Sequence, residues 1–143
     1  MPAFKLVSSL LGAALLAALL ATPARAGTLY ADLGERPGLS SIVEDLLRRA
    51  LIDPRIKETL DDANIERLQG LLILQICNLT GGPCLYPGRT MKTSHADLQL
   101  RSRHFNALVE HLQDAMEAHG VPFRTQNRLM ALLAPMHRDI VTP

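Results

Sequence analysis

The chain has 143 residues, of which 48% are apolar, 20% are charged and only 3% are aromatic, and its formal net charge is +1. The length indicates a single domain, the near-neutral charge argues against a nucleic-acid-binding protein, and two cysteines are too few for a small protein stapled by disulfides. With no Trp, three Phe and two Tyr, the core must be built from aliphatic side chains.

Residues 1–26 have the pattern of a secretory signal peptide. A start with one basic residue, Lys5, precedes an almost unbroken apolar run over residues 6–21, and Ala24-Arg25-Ala26 follows as a small-residue cleavage signal. The run is shorter than the roughly 20 residues that a membrane-spanning helix needs, although an uncleaved membrane anchor is the alternative. We therefore expect an exported, periplasmic protein of residues 27–143 without stable membrane insertion.

The segments that follow have helical periodicity. Ser41 and Glu44 have the spacing of a capping box, and apolar residues recur at helical spacing over residues 42–51. Asn64 is a candidate N-cap for a second helix over residues 65–78. Because this helix is apolar on nearly every side, we expect it to lie between other helices.

The C-terminal half is predicted to be helical as well. Residues 86–100 have weak periodicity and predict a loop with a short helix around residues 93–98. A longer helix is expected from Ser102 to the break at residues 120–122, and a last one over residues 125–141. No segment alternates between apolar and polar residues for long enough to form a strand, so the sequence predicts an all-α domain.

The two cysteines lie on either side of a turn-forming sequence. Cys77 and Cys84 flank Thr80-Gly81-Gly82-Pro83, which can reverse the chain. In an oxidising compartment such a pair can form a disulfide, and two separately buried thiols are the alternative. Neither cysteine belongs to a C-x-x-C-H sequence, so thioether attachment of a c-type haem is not predicted.

Among the five histidines, His95 has the most informative surroundings. No H-E-x-x-H sequence is present, and His104 and His111 lie two helical turns apart, too far for one tetrahedral metal. His95 belongs to a short segment between two loops, close to Arg89 and Lys92. A histidine beside two cations suits a haem site, which needs an iron ligand and partners for the anionic propionates.

At this point the sequence resembles the group I truncated haemoglobins. The matching residues follow the family's order and spacing over nearly all of the chain after residue 26, and they are Leu29-Tyr30-Ala31-Asp32-Leu33-Gly34, Gly81-Gly82-Pro83, Tyr86-x-Gly88-Arg89-x-Met91-Lys92-x-x-His95, His104-Phe105 at a helix start, and Gly120-Val121-Pro122. The resemblance implies a two-over-two α-helical sandwich enclosing non-covalent haem b, with His95 as the proximal iron ligand. It also implies that Arg89 and Lys92 pair with the propionates, and that Tyr86 and Met91 line the haem edge.

The chain departs from the family pattern on the distal side of the implied haem. Leu46 and Leu47 stand where the family has a Phe-Tyr pair whose Tyr hydrogen-bonds bound oxygen, and Leu60 stands where an aromatic ring packs on the haem. Glu35 replaces the second glycine of an early Gly-Gly pair. The polar distal residues of the following helix are also replaced, by Leu68, Leu71 and Leu72. The implied pocket is aliphatic, which weakens oxygen binding and favours CO or NO in relative terms.

The leading hypothesis is an exported truncated globin with His-ligated haem b that binds or senses a diatomic gas (oxygen, NO or CO). Gas binding is favoured over catalysis, because a redox enzyme acting on NO or peroxide needs polar distal groups that the chain lacks. The alternative is a haem-free helical module that acts as a periplasmic interaction protein. No nucleic-acid partner is expected, and the sequence identifies no redox partner.

Overall fold

The computed structural model describes residues 27–142, so the predicted signal peptide, residues 1–26, lies outside the described part of the chain. Its α-helices are α1 (Leu29–Asp32), α2 (Glu35–Ala50), α3 (Ile65–Leu79), α4 (Met91–His95), α5 (Ser102–Ala118), α6 (Phe123–Leu133) and α7 (His137–Ile140). Short 3-10 helices cover Lys57–Leu60 and Ala134–Met136. Residues 27–142 contain no strand, which confirms the predicted all-α class. Over the same range, no helix has both the length and the apolar character needed to cross a membrane.

The helix α2 begins earlier than its sequence pattern predicts. Ser41 lies inside the helix, where its hydroxyl donates to the Pro37 carbonyl (3.2 Å), so the capping-box interpretation of Ser41 and Glu44 was wrong. The helix starts at Glu35, directly after Gly34, whose left-handed φ of 82° turns the chain out of α1. The glycine-dependent turn therefore sets the start of α2.

Glu35 adopts a backbone conformation that glycine adopts more easily. Its φ is 56°, in the left-handed region that costs a non-glycine residue roughly 1–2 kcal/mol. The family that the sequence resembles has glycine at this position, so the departure noted above places backbone strain at the first residue of α2. Gly38, one turn later, is needed for a steric reason, because a Cβ there would lie 2.2 Å from the carbonyl oxygen of Leu33.

The long helices form two pairs that pack on each other. Helix α2 packs on α3 and on α5, α5 also packs on α6, and α1 lies against α6. The central core is a cluster of buried residues, namely Leu29, Leu33, Leu39, Ile42, Val43, Leu46, Leu47, Ile73, Ile76, Cys77, Leu112, Ala115, Met116 and Leu129. The cluster contains no aromatic side chain, and Tyr30 packs against it while only partly buried. The aliphatic core expected from the composition is therefore confirmed.

The C-terminal segment, predicted as one helix over residues 125–141, is broken in the structure. Helix α6 ends at Leu133, and a 3-10 turn containing Pro135 connects it to α7. Proline has no N–H to continue the helical hydrogen bonds, which explains the break. After α7 the N–H of Thr142 donates to the carbonyl of Leu100 (2.8 Å), so the chain end is tied to the segment between α4 and α5.

An ion-pair cluster fixes the loop after α2 on helix α5. The Asp53 carboxylate accepts hydrogen bonds from the Arg55 guanidinium (2.9 Å) and from Nε2 of His111 (2.7 Å), and Arg55 also donates to Glu110 (2.7 Å). The hydrogen bonds from Arg55, with a smaller contribution from His111, hold the pKa of Asp53 well below its usual range. Because the folded pKa is lowered, the stability from this carboxylate is fully present well above the ordinary pKa of 3.8 and is lost progressively as the pH falls below that value.

Candidate functional site

One polar side chain, Gln75, connects α3 with α4 and with the 3-10 turn before α7, and the region between these three elements is here called the crevice. The Gln75 amide of α3 lies 3.3 Å from Sδ of Met91 on α4 and 4.0 Å from Sδ of Met136, in the 3-10 turn before α7. Residues three, four or seven positions from Gln75 share its helix face, and the apolar ones are half-buried: Leu68, Leu71, Leu72 and Leu79. This side of α3 therefore presents an apolar strip that the buried core does not cover completely.

His95 is the last residue of α4, a helix of five residues with no buried side chain. The Thr90 hydroxyl caps the start of this helix by accepting from the N–H of Thr93 (3.2 Å). The Nδ1–H of His95 donates to the Met91 carbonyl one turn earlier (2.7 Å), with the Ser94 hydroxyl also within 3.3 Å. A donating Nδ1 leaves the lone pair on Nε2, and this is the tautomer that a metal-binding histidine needs. Among residues 27–142, Nε2 of His95 has no hydrogen-bond partner.

The two cations near His95 lie at the surface. Arg89 and Lys92 are exposed, and within the described range neither is paired with a carboxylate. Tyr86 folds back over its own loop, where its hydroxyl donates to the Arg89 carbonyl (3.2 Å). The Tyr86 ring packs against Gly88, where a Cβ atom would lie 2.2 Å from the ring, so this packing requires glycine at position 88.

The predicted distal residues are divided between the core and the crevice. Leu46 and Leu47 of α2 are each 3% exposed and belong to the central core, which also contains Ile73 and Ile76 of α3. Leu60 packs against a smaller cluster of Ala50, Ile56 and Ala107. On α3, Leu68 and Leu72 pack against the central core while staying half-buried, and Leu71 is also half-buried. All six side chains are aliphatic, so none supplies a hydrogen-bond donor.

Gln75 is a functional candidate that the sequence analysis missed. Its amide N–H groups meet only thioether sulfurs, which are weak acceptors, so its capacity to donate is largely unused. The sequence contains a signal for it, because Gln75 interrupts the apolar strip of α3 at helical spacing from Leu68, Leu71 and Leu72. Gln75 lies one helical turn beyond Leu71 and Leu72, outside the positions for which the family resemblance implies a distal role.

His104 has the helix-start role expected for it. The backbone N–H of Arg101 donates to its Nδ1 (3.2 Å) at the beginning of α5. Burial, together with the charges of Arg103 and Arg101, lowers the pKa of His104, which keeps the ring neutral and able to accept. The ring also lines a cleft of about 420 Å³ between α5 and the 3-10 turn at residues 57–60, and His95 does not line this cleft.

The cysteines are joined in the structure. Cys77 of α3 and Cys84 form a disulfide with a Cα–Cα distance of 5.8 Å, within the usual range for this bond. The turn between them is tight, because a Cβ at Gly82 would lie 2.6 Å from the Cys77 sulfur. The disulfide closes the turn that leads from α3 towards α4.

Comparison with known proteins identifies the family. The family model described as bacterial-like globin matches residues 28–142. The group 1 truncated hemoglobin of Mycolicibacterium paratuberculosis is 30% identical over 119 residues, which cover 83% of this chain and 88% of that protein. The group 1 truncated hemoglobin of Nostoc commune is 30% identical over 94 residues, covering 66% of this chain and 80% of that protein.

Solved structures confirm the predicted two-over-two helical fold. The structure is similar to the truncated hemoglobin of Tetrahymena pyriformis in its Fe(III) form, with a TM-score of 0.78, 23% identity, and coverage of 82% of this chain and all of that one. The 2/2 hemoglobin of Synechococcus gives a TM-score of 0.76 at 21% identity, with 80% and 98% covered. The chain therefore belongs to the bacterial-like globin family and, within it, to the group 1 truncated hemoglobins.

Proposed function

We propose that the protein binds haem b non-covalently through His95 and that it binds or senses a diatomic gas. The observation that carries this proposal is the hydrogen bond from Nδ1 of His95 to the Met91 carbonyl (2.7 Å). This bond fixes the ring in the tautomer whose Nε2 can ligate iron. When bound, haem supplies an iron centre that takes up the gas.

The residues around the crevice fit such a group. The half-buried apolar strip of α3 suits a flat, largely apolar macrocycle, and the exposed Arg89 and Lys92 are available to the propionates. Gln75, Met91 and Met136 have unbranched, flexible side chains, so rotamer changes can open the crevice. Both cysteines of the chain are used in the disulfide, which leaves no thiol for a thioether link and supports non-covalent binding.

The choice of gas follows from the distal side chains. Bound oxygen carries partial negative charge and gains roughly 1.5–3 kcal/mol from a hydrogen-bond donor. The aliphatic Leu47, Leu68 and Leu72 provide no donor, so we propose that CO or NO is favoured relative to oxygen. This distal chemistry supports ligand binding in preference to catalysis on NO or peroxide.

Titration of the purified protein with haem tests the proposal. We expect a sharp Soret band that saturates at one haem per chain, because the site has one candidate axial histidine on α4.

The contacts of Gln75 with Met91 and Met136 favour the competing function, a haem-free helical interaction module, since they join the two sides of the crevice. A broad band that never saturates would support that module and contradict haem binding.

We further propose that the protein is exported to the periplasm. The signal-peptide pattern of residues 1–26 and the disulfide between Cys77 and Cys84 both support this location, because disulfides persist in oxidising compartments. N-terminal sequencing of the protein recovered from the periplasmic fraction is expected to begin at Gly27. Recovery of a chain that begins at Met1 and stays in the cytoplasm would contradict export.

A further inference from the structure

The helix that carries His95 depends on its surroundings for its position. A helix of five residues is not stable by itself, and α4 buries no side chain. Its non-covalent contacts include the Thr90 cap, packing against α7, and the weak contact between Met91 and Gln75. The position of the proposed iron ligand therefore rests on whatever fixes the start of α4.

A covalent link lies just before that start. Cys77, in the last turn of α3, is fully buried, and its disulfide to Cys84 places the following segment at the end of α3. The Asn78 amide donates to the Cys84 carbonyl (3.0 Å), and the Gly82 N–H donates to the Cys77 carbonyl (2.8 Å). These bonds make Cys84 an extension of the rigid α3 helix.

The disulfide halves the length of the flexible segment that connects α3 with α4. Only residues 85–89 separate Cys84 from Thr90, the N-cap of α4. Without the disulfide, the connection would run from the end of α3 through residues 80–89. Doubling the length of a flexible connection makes closure about threefold less favourable, so without the disulfide the population of α4 in its observed position would fall by up to about that factor.

We infer that the Cys77–Cys84 disulfide is a positioning element for the ligand helix, and that haem retention depends on its oxidation state. The inference rests on the proposed haem site. In the reductive step, two thiol groups of a dithiol reductant each give up a hydrogen atom and form a new S–S bond. The bond between Cys77 and Cys84 breaks, and each cysteine sulfur gains one electron and one proton.

Haem transfer to excess apomyoglobin measures this dependence in the holoprotein. We expect haem loss to be faster by up to about threefold after treatment with dithiothreitol, and faster by the same factor in Cys84→Ala without reductant. Cys84→Ala keeps the buried Cys77 side chain in the core. Because this variant has no disulfide to reduce, dithiothreitol is expected to leave its rate of haem loss unchanged. Equal rates for the oxidised, reduced and substituted proteins would overturn the inference.

Hydrogen exchange in the haem-free protein distinguishes positioning from general stabilisation. The Ser94 amide bonds to the Thr90 carbonyl inside α4 (2.9 Å), and it is expected to exchange faster on reduction while amides of α2 and α5 keep their rates. Leu129→Ala, a truncation in the core of α6, is the control that accelerates exchange globally. If reduction accelerates amide exchange uniformly, as Leu129→Ala is expected to do, the disulfide has no special effect on α4. This readout holds even if the protein binds no haem, in which case the proposed function fails separately.

Discussion

Replacement of His95 by alanine is expected to abolish the sharp Soret band of the haem-loaded protein. Loss of an outer hydrogen-bond partner of a metal ligand already weakens binding by about 10- to 100-fold, and loss of the ligand itself is expected to exceed that range. The Nε2 atom of His95 is the nitrogen that the Met91 hydrogen bond leaves available for iron. Haem titration followed by absorbance measures the affinity of the variant and of the wild type side by side.

Two controls make this result specific. His104→Ala removes a histidine that accepts a hydrogen bond at the start of α5, and it is expected to keep the Soret band. His95→Gly leaves space for free imidazole, which is expected to restore a sharp band when added in excess. A His95→Ala protein with the wild-type band and affinity would show that iron is ligated elsewhere, and the proposed site would be wrong.

The sequence predicted the helices best where local chemistry and burial agree. Helix α3 covers Ile65–Leu79 and has the predicted N-cap, because the Asn64 side chain accepts from the N–H of Arg67 (2.9 Å). Its apolar character on nearly every side predicted a position between other helices, but only Ile73, Ile76 and Cys77 of α3 are buried, and α2 is its main packing partner among the described elements. Here the capping signal and the periodic pattern point to the same boundaries.

The errors arose where a distant or competing interaction decides the local structure. The start of α2 depends on the left-handed backbone of Gly34 and Glu35. The capping-box spacing of Ser41 and Glu44, which lies inside the helix, led to a predicted start that was too late. The short helix predicted around residues 93–98 lies at Met91–His95, because Thr90 caps it. The contacts of Gln75 join residues 16 and 61 positions apart, and such contacts have no periodic signal in a single sequence.

Substitution of Leu47 by tyrosine is expected to slow oxygen dissociation from the haem-loaded protein by about 10- to 100-fold. The factor corresponds to the roughly 1.5–3 kcal/mol that a hydrogen bond to a charged partner contributes. Leu47 is 3% exposed and stands where related globins have a tyrosine, according to the sequence resemblance. The other residues predicted for the distal side are aliphatic, so the Gln75 amide is the one competing donor among the candidates described above.

The comparison with Leu47→Phe isolates the hydroxyl group. Both variants enlarge a side chain in the packed core, and overpacking alone costs about 1–3 kcal/mol of stability, so each should unfold at a lower temperature than the wild type. Only Leu47→Tyr adds a donor, and only this variant is expected to retain oxygen longer in a stopped-flow displacement by CO. If both variants release oxygen equally fast, either position 47 does not reach the bound gas or Gln75 already supplies the donor. In either case the aliphatic pocket would no longer explain the preference for CO and NO, and this part of the proposed function would be withdrawn.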